Sequence, residues 1–156
     1  IDEVAWWDGA SIEMPHTKSG KLKADELDVD IEAFRRQMQN KTGDLHKFIA
    51  LFLQSGQKIV VNIRTALDRE DYDDIQQKYT DLRNEAHALK GAAMLMYAKP
   101  LSRLCYKLEM YCEEIKKRAL EDSSVYTDSA TRKLVSTMVD DIEQRWAIAV
   151  ETLDKQ

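Results

Sequence analysis

The stretch with chemical potential is "NEAHALKGAA", residues 84–93, in which Lys90 and Gly91 follow His87 at the third and fourth positions. On a helix, residues three and four apart share one surface, so Lys90 and Gly91 flank the imidazole on one side and Arg83 on the other. A neutral imidazole nitrogen is a good nucleophile near neutral pH. If it attacked a phosphoryl group, the anionic product would need nearby positive charge, which Lys90 can supply as a mobile point charge. Gly91 removes side-chain bulk where an incoming partner must approach. Ala88 and Ala92 keep the same surface low, and Met94, one heptad on, offers an adaptable apolar contact.

That chemistry depends on where His87 points. Ile75, Tyr79, Leu82, Ala86, Leu89, Ala93 and Met96 recur at steps of four and three, which predicts an amphipathic helix with its core face centred near Ala86 and Ala93. His87 then lies roughly 120° from that centre, at the edge of the core or outside it. It is presented on a rigid element rather than used as core filling. His16, in a polar stretch after Pro15, and His46, between Leu45 and Phe48, lack such surroundings and are given no catalytic role.

Three further long helices follow from the same periodicity. Leu45, Ile49, Phe52, Ile59, Ile63 and Ala66 form one stripe, broadened by Phe48, Leu53, Val60 and Leu67. Gly56 falls in its seam, where it admits a close neighbour or marks a bend. Leu101, Leu104, Cys105, Leu108, Cys112 and Ile115 form the next stripe after Pro100, which ends the preceding helix and suits a new first turn. Leu134, Met138, Ile142, Ala149 and Leu153 form the last, with Trp146 beside the stripe. A short leading helix carries Ile31, Phe34 and Met38, with Asp28 or Asp30 as its N-cap and "KTGD" as its break. The expected fold is all-α: an antiparallel four-helix bundle with a short additional N-terminal helix.

Composition agrees. Of 156 residues, 44% are hydrophobic and 33% charged, with five glycines and two prolines, which suits a helical globular domain. Residues 1–26 show no sustained period and read as an arm or linker; residues 27–156 read as the bundle. Trp6 and Trp7 in that arm either pack on the domain or meet a neighbouring domain or partner. The chain starts without Met or a signal-peptide pattern, so it reads as a domain excised from something larger.

Several function classes are excluded. With 23 basic against 28 acidic residues and no basic stripe, nucleic acid is not an expected partner. The longest strongly apolar run, "FIALFL", is far too short to span a membrane. Cys105 and Cys112, seven apart on one helical face, lie too far apart for an easy disulfide and read as buried thiols in a reducing, cytoplasmic compartment. The residues three before His87 and His46 are Asn84 and Gly43 rather than the glutamates of a di-metal bundle, and no phosphate-binding loop and no Ser/His/Asp order is present. The chain shows a phosphate acceptor without an ATP site.

"AHALKGAA" followed by "LSRLCYKLE" resembles the signature of histidine-containing phosphotransfer (HPt) domains, helical bundles that carry a phosphoryl group between receiver domains in multistep phosphorelays. The resemblance runs from about Asp28 to Cys112 and rests on Ala86, His87, Leu89, Lys90, Gly91, Ala92 and Ala93, then Leu101, Leu104, Cys105, Leu108 and Glu109. It implies that His87 is phosphorylated on Nε2, that Lys90 stabilises the phosphoryl group, and that Gly91 admits the receiver's loops. Glu109 stands where the related kinase-fused domains of chemotaxis signalling use a glutamate to orient the imidazole. Arg83, Ala88, Ala92, Met94 and Tyr97 would line the docking surface. The implied partners are response-regulator receivers and a sensor histidine kinase. The chain would be a phosphoryl carrier rather than an enzyme, with no cofactor of its own and Mg²⁺ on the receiver. Two other roles fit the pattern: a phosphoacceptor domain of a chemotaxis-type kinase, and a non-catalytic scaffold or dimerisation bundle.

Two departures from the family pattern stand out. Tyr97 replaces the glycine usual ten residues after the histidine, so the turn before Pro100 is expected to differ. The segment from Leu67 to His87 is about two turns longer, which would extend the histidine-bearing helix.

Overall fold

The computed structural model describes residues 27–38 and 42–156, with the side chains of residues 42–44 left aside. The expectations for Trp6, Trp7 and His16 lie outside the described residues. The described chain is all-helical: α1 (Ile31–Gln37), α2 (Thr42–Asp68), α3 (Ile75–Leu95), α4 (Lys99–Ala119) and α5 (Ser129–Asp154), with a 3-10 turn at Ser123–Thr127 before α5. No helix among the described residues is long and apolar enough to cross a membrane.

Local chemistry starts these helices. Asp30 caps α1 by accepting from the Ala33 amide, and Asp74 caps α3 by accepting from the Gln76 amide. Pro100 occupies the first turn of α4, where its missing N–H costs nothing. Opposite faces then meet. α3 packs on α2 and α4, and α5 packs on α2 and α4, so the four long helices enclose one core. Thr80 pairs with Lys116, Arg83 with Glu113 and His87 with Glu109, so each step forward along α3 is matched by a step back along α4.

The α2–α5 seam explains Gly56. A Cβ at this position would collide with the Trp146 ring. That ring cannot swing away freely: its Nε1 donates to Gln57 at 2.7 Å, and its face tilts against Phe52 at 5.3 Å between centroids. Gly56 is therefore the close-approach site, not a bend. Gly56→Ala gains helix propensity worth about 1 kcal/mol but overpacks the seam by about 1–3 kcal/mol. We expect a net loss of about 1 kcal/mol, read from the midpoint of urea unfolding; an unchanged midpoint would contradict the assignment.

Two expectations need correction. Phe48 does not broaden the α2 stripe; it is exposed, because the buried strip centres on Ile49, Phe52, Val60 and Ile63 and one residue rotates a side chain by about 100°. On α5, Trp146 lies within the buried strip, with Val135 and Val139, while Leu134 moves to its flank. At the turn after α3, Tyr97 adopts φ 56°, the left-handed backbone that glycine favours. The Tyr97 amide donates to Met94 O and the Ala98 amide to Ala93 O, which together close α3 as a Schellman motif.

Candidate functional site

α3 extends three turns before His87 and two turns after it, so the histidine sits mid-helix on a well-supported rod. Its side chain is 58% exposed, whereas the neighbouring Ala86 and Leu89 are fully buried. Across the seam, α4 offers Glu109, whose side chain is only 6% exposed. The imidazole Nδ1 lies 2.8 Å from Glu109 Oε2, and Lys90 Nζ lies 2.8 Å from Oε1. One carboxylate thus holds both residues of the sequence motif. Arg83 Nη2 stands 3.6 Å from the same Oε2 but is held more closely by Glu113, at 2.9 Å.

The electrostatics of Glu109 are a contest. Burial pushes its carboxyl up, but hydrogen bonds from Lys90 and His87, together with their charges, outweigh burial and leave it below its ordinary value. It is therefore ionised at neutral pH. A carboxylate only accepts hydrogen bonds, so Nδ1 must carry the proton and donate it. In the neutral ring the lone pair then falls on Nε2, the nitrogen turned away from Glu109. The arrangement presents an oriented nucleophile on an open surface with a cation beside it.

The remaining residues singled out from sequence sort by position. Gly91 is exposed, and an added Cβ would meet nothing within 4 Å. Ala88 and Met94 are exposed, Ala92 is half-buried, and Tyr97 is half-buried in the turn. Arg83 belongs to the ionic network, since Nε also donates to Glu113 at 3.0 Å. His46 lies elsewhere, its Nε2 3.1 Å from Gln156 O. Both cysteines are free and buried, and burial pushes their thiols far above the ordinary range. Among the described residues, no group of three or more His, Cys, Asp or Glu is placed to hold a metal ion.

Sequence reasoning missed two participants. Tyr106 lies under Lys90, with Nζ 5.1 Å from the ring centroid, and Glu113 anchors Arg83. Once His87 is paired with Glu109, opposed helices place Tyr106 against Lys90 and Glu113 against Arg83, so that pairing was the available signal.

The family model described as the Hpt domain matches residues 47–145, running from α2 through most of α5. The chain belongs to the Hpt domain family. Neither the curated proteins nor the solved structures contain a match to it. Hpt domains are phosphocarriers of two-component phosphorelays, interacting with receiver domains and kinases rather than acting as catalysts. This Hpt domain carries the His87–Glu109–Lys90 cluster inside the matched region.

Proposed function

We propose that His87 is the phosphorylated residue of this Hpt domain and that its phosphoryl group comes from, and returns to, receiver aspartates. The observation that carries this reading is the 2.8 Å contact between Nδ1 and Glu109, which leaves Nε2 as the exposed lone-pair nitrogen. The Nε2 lone pair attacks phosphorus in line, the N–P bond forms, and the P–O bond to the receiver aspartate breaks, releasing a carboxylate. Nδ1 keeps its proton against Glu109 throughout. Lys90 turns from Glu109 toward the phosphoryl oxygens, and Gly91 leaves room for the receiver's loops. Phosphoryl transfer is mainly positioning and charge stabilisation, so Mg²⁺ on the receiver and these few side chains suffice without a cofactor on this chain. The reading further takes the four long helices as an antiparallel bundle working in the cytoplasm.

The test is incubation with a phosphorylated receiver, which should give an acid-labile, base-stable phosphate on this chain. A second reading is supported by the same Glu109 contact: a phosphoacceptor domain of a chemotaxis-type kinase, charged from ATP by a kinase domain. Labelling by such a kinase domain with ATP, and by no phosphorylated receiver, would favour it. Labelling under neither condition would point to a scaffold.

Gly91 gives a separate prediction. Because an added methyl meets nothing in this fold, Gly91→Ala should stabilise α3 by about 1 kcal/mol. Receiver-dependent transfer should nonetheless slow about tenfold, since a small misplacement of reacting groups is costly. Thermal unfolding and initial transfer rates check the pair; faster transfer would refute the clearance role.

A further inference from the structure

Arg83 stands one turn before His87 on α3 and faces two carboxylates of α4 at once. Its Nε and Nη2 lie 3.0 and 2.9 Å from Glu113 Oε1, and the same Nη2 lies 3.6 Å from Glu109 Oε2. The first two are hydrogen-bond distances and the third is not, so toward Glu109 the cation is close but uncommitted. Nη1 donates to Asn84 Oδ1 at 3.2 Å. Glu109 and Glu113 lie one turn apart on α4. A small rotation of the guanidinium about its contact with Glu113 therefore brings Nη2 within about 2.9 Å of Glu109.

This uncommitted cation matters because of what Lys90 must do. In the resting cluster Glu109 Oε1 holds Lys90, and Oε2 holds the Nδ1 proton. Burial pushes the Glu109 carboxyl up, and the hydrogen bond from Lys90 is the foremost contact bringing it down. The side chain is only 6% exposed, so water does not replace a lost partner. Once Lys90 turns toward an incoming phosphoryl group, burial prevails and the His87–Glu109 pair draws in a second proton. That proton settles on the ring directly, or on Glu109, which then donates to Nδ1 and drives the ring's own proton to Nε2. Either way Nε2 loses the lone pair that must attack.

We propose that Arg83 is a positioning residue that takes Lys90's place on Glu109 during attack, so that His87 Nε2 stays bare while Lys90 serves the phosphoryl group. This rests on the phosphotransfer reading above, in which Lys90 leaves the carboxylate. The other ionisable groups near Glu109 cannot fill that role. Glu113 carries the wrong charge, and Cys105 and Cys112 are buried thiols pushed above their ordinary range. A guanidinium stays charged and offers several donors in one plane, so it can serve two carboxylates together.

Lys90→Met imitates the departure of Lys90 without any phosphodonor. Nitrogen NMR of His87 at neutral pH then reads the ratio of rings with a proton on Nε2 to rings without one. Arg83→Gln alone and Lys90→Met alone should each raise this ratio modestly, because the other cation remains. In the double variant it should exceed the product of the two single effects by about tenfold, the shift that one nearby charge imposes. Thermal unfolding confirms that each variant is folded. Glu113→Gln in the Lys90→Met chain separates this role from a cross-link between α3 and α4. It breaks the link but leaves Arg83 free to reach Glu109, so the ratio should not rise. A double variant within twofold of the product, or a rise with Glu113→Gln equal to that with Arg83→Gln, overturns the proposal. Failure of every phosphorylated receiver to label the unaltered chain is a separate result and falls on the phosphotransfer reading.

Discussion

Replacing His87 with Gln should abolish receiver-dependent labelling, with residual label below one part in a thousand. The substitution keeps a polar side chain on the exposed face of α3 and removes the only lone-pair nitrogen there. An amide nitrogen is delocalised into its carbonyl and does not attack phosphorus. Helix propensities of Gln and His differ by only a few tenths of a kcal/mol, so the fold should persist. The cluster would remain in part, because Lys90 still reaches Glu109 Oε1. Autoradiography after incubation with a phosphorylated receiver gives the answer, with circular dichroism as the control for folding. Label that survives at the unaltered level would place the acceptor elsewhere and sink the assignment. His46 would then be the next residue to replace among those described, although it sits beside Gln156 and far from Lys90 in the chain.

Glu109→Gln is the second large effect and tests a different link. Here the nucleophile stays and its orientation is disturbed. The native carboxylate accepts from Nδ1 through one oxygen and from Lys90 through the other. An amide has only one oxygen, so its NH₂ group must face either the imidazole or the ammonium, and one contact is lost. If Nδ1 loses its acceptor, the proton is free to move to Nε2 and the nucleophilic lone pair to the buried side. We expect transfer to slow by about 10- to 100-fold, the range found when a group that orients a functional histidine is removed. Nitrogen NMR of the imidazole supplies a readout that a purely structural role would not move: the population protonated at Nδ1 should drop. An unchanged tautomer balance with an unchanged rate would remove Glu109 from the mechanism.

The same residue sets a pH signature. Its carboxyl titrates below the ordinary value in the folded chain. That difference stabilises the fold at pH above the carboxyl's value in the unfolded chain, and the stabilisation fades as pH falls through the lower folded value. Glu109→Gln should lack this component, so its unfolding midpoint should vary less steeply across the acid range.

Much of the molecule was legible before any coordinates. The apolar spacing of α3, from Ile75 to Met96, placed His87 off the core because a helix with a 3.6-residue repeat allows only one rotation that buries Leu82, Ala86, Leu89 and Ala93 together. Asp30 and Pro100 marked helix starts through cap chemistry that acts within a few residues. Where two rotations were nearly equal, periodicity erred. On α5, Leu134 and Val135 are both apolar; Val135, Val139 and Trp146 are the buried ones, with Trp146 packed over Gly56. Phe48 was misplaced for a related reason: apolar character says that a side chain can be buried, not that a neighbour is present to bury it.

By itself, then, the sequence determined the number of α-helices among the described residues, the inward faces of α3 and α4, and the exposure of His87 beside Lys90 and Gly91, all properties of single helices and their periods. Only the tertiary structure decided what lies across each seam. That Glu109 is buried and grips both His87 and Lys90, that Arg83 is held by Glu113, and that Trp146 fills the space over Gly56 all depend on how far one helix slides along another. Tyr97 belongs with them, since its left-handed backbone is imposed by the closure of α3 onto α4 rather than by its own preference. Axial register is set by the packing of many side chains at once. No single helix encodes it, and that is why the nucleophile was readable from one segment while the carboxylate that orients it was not.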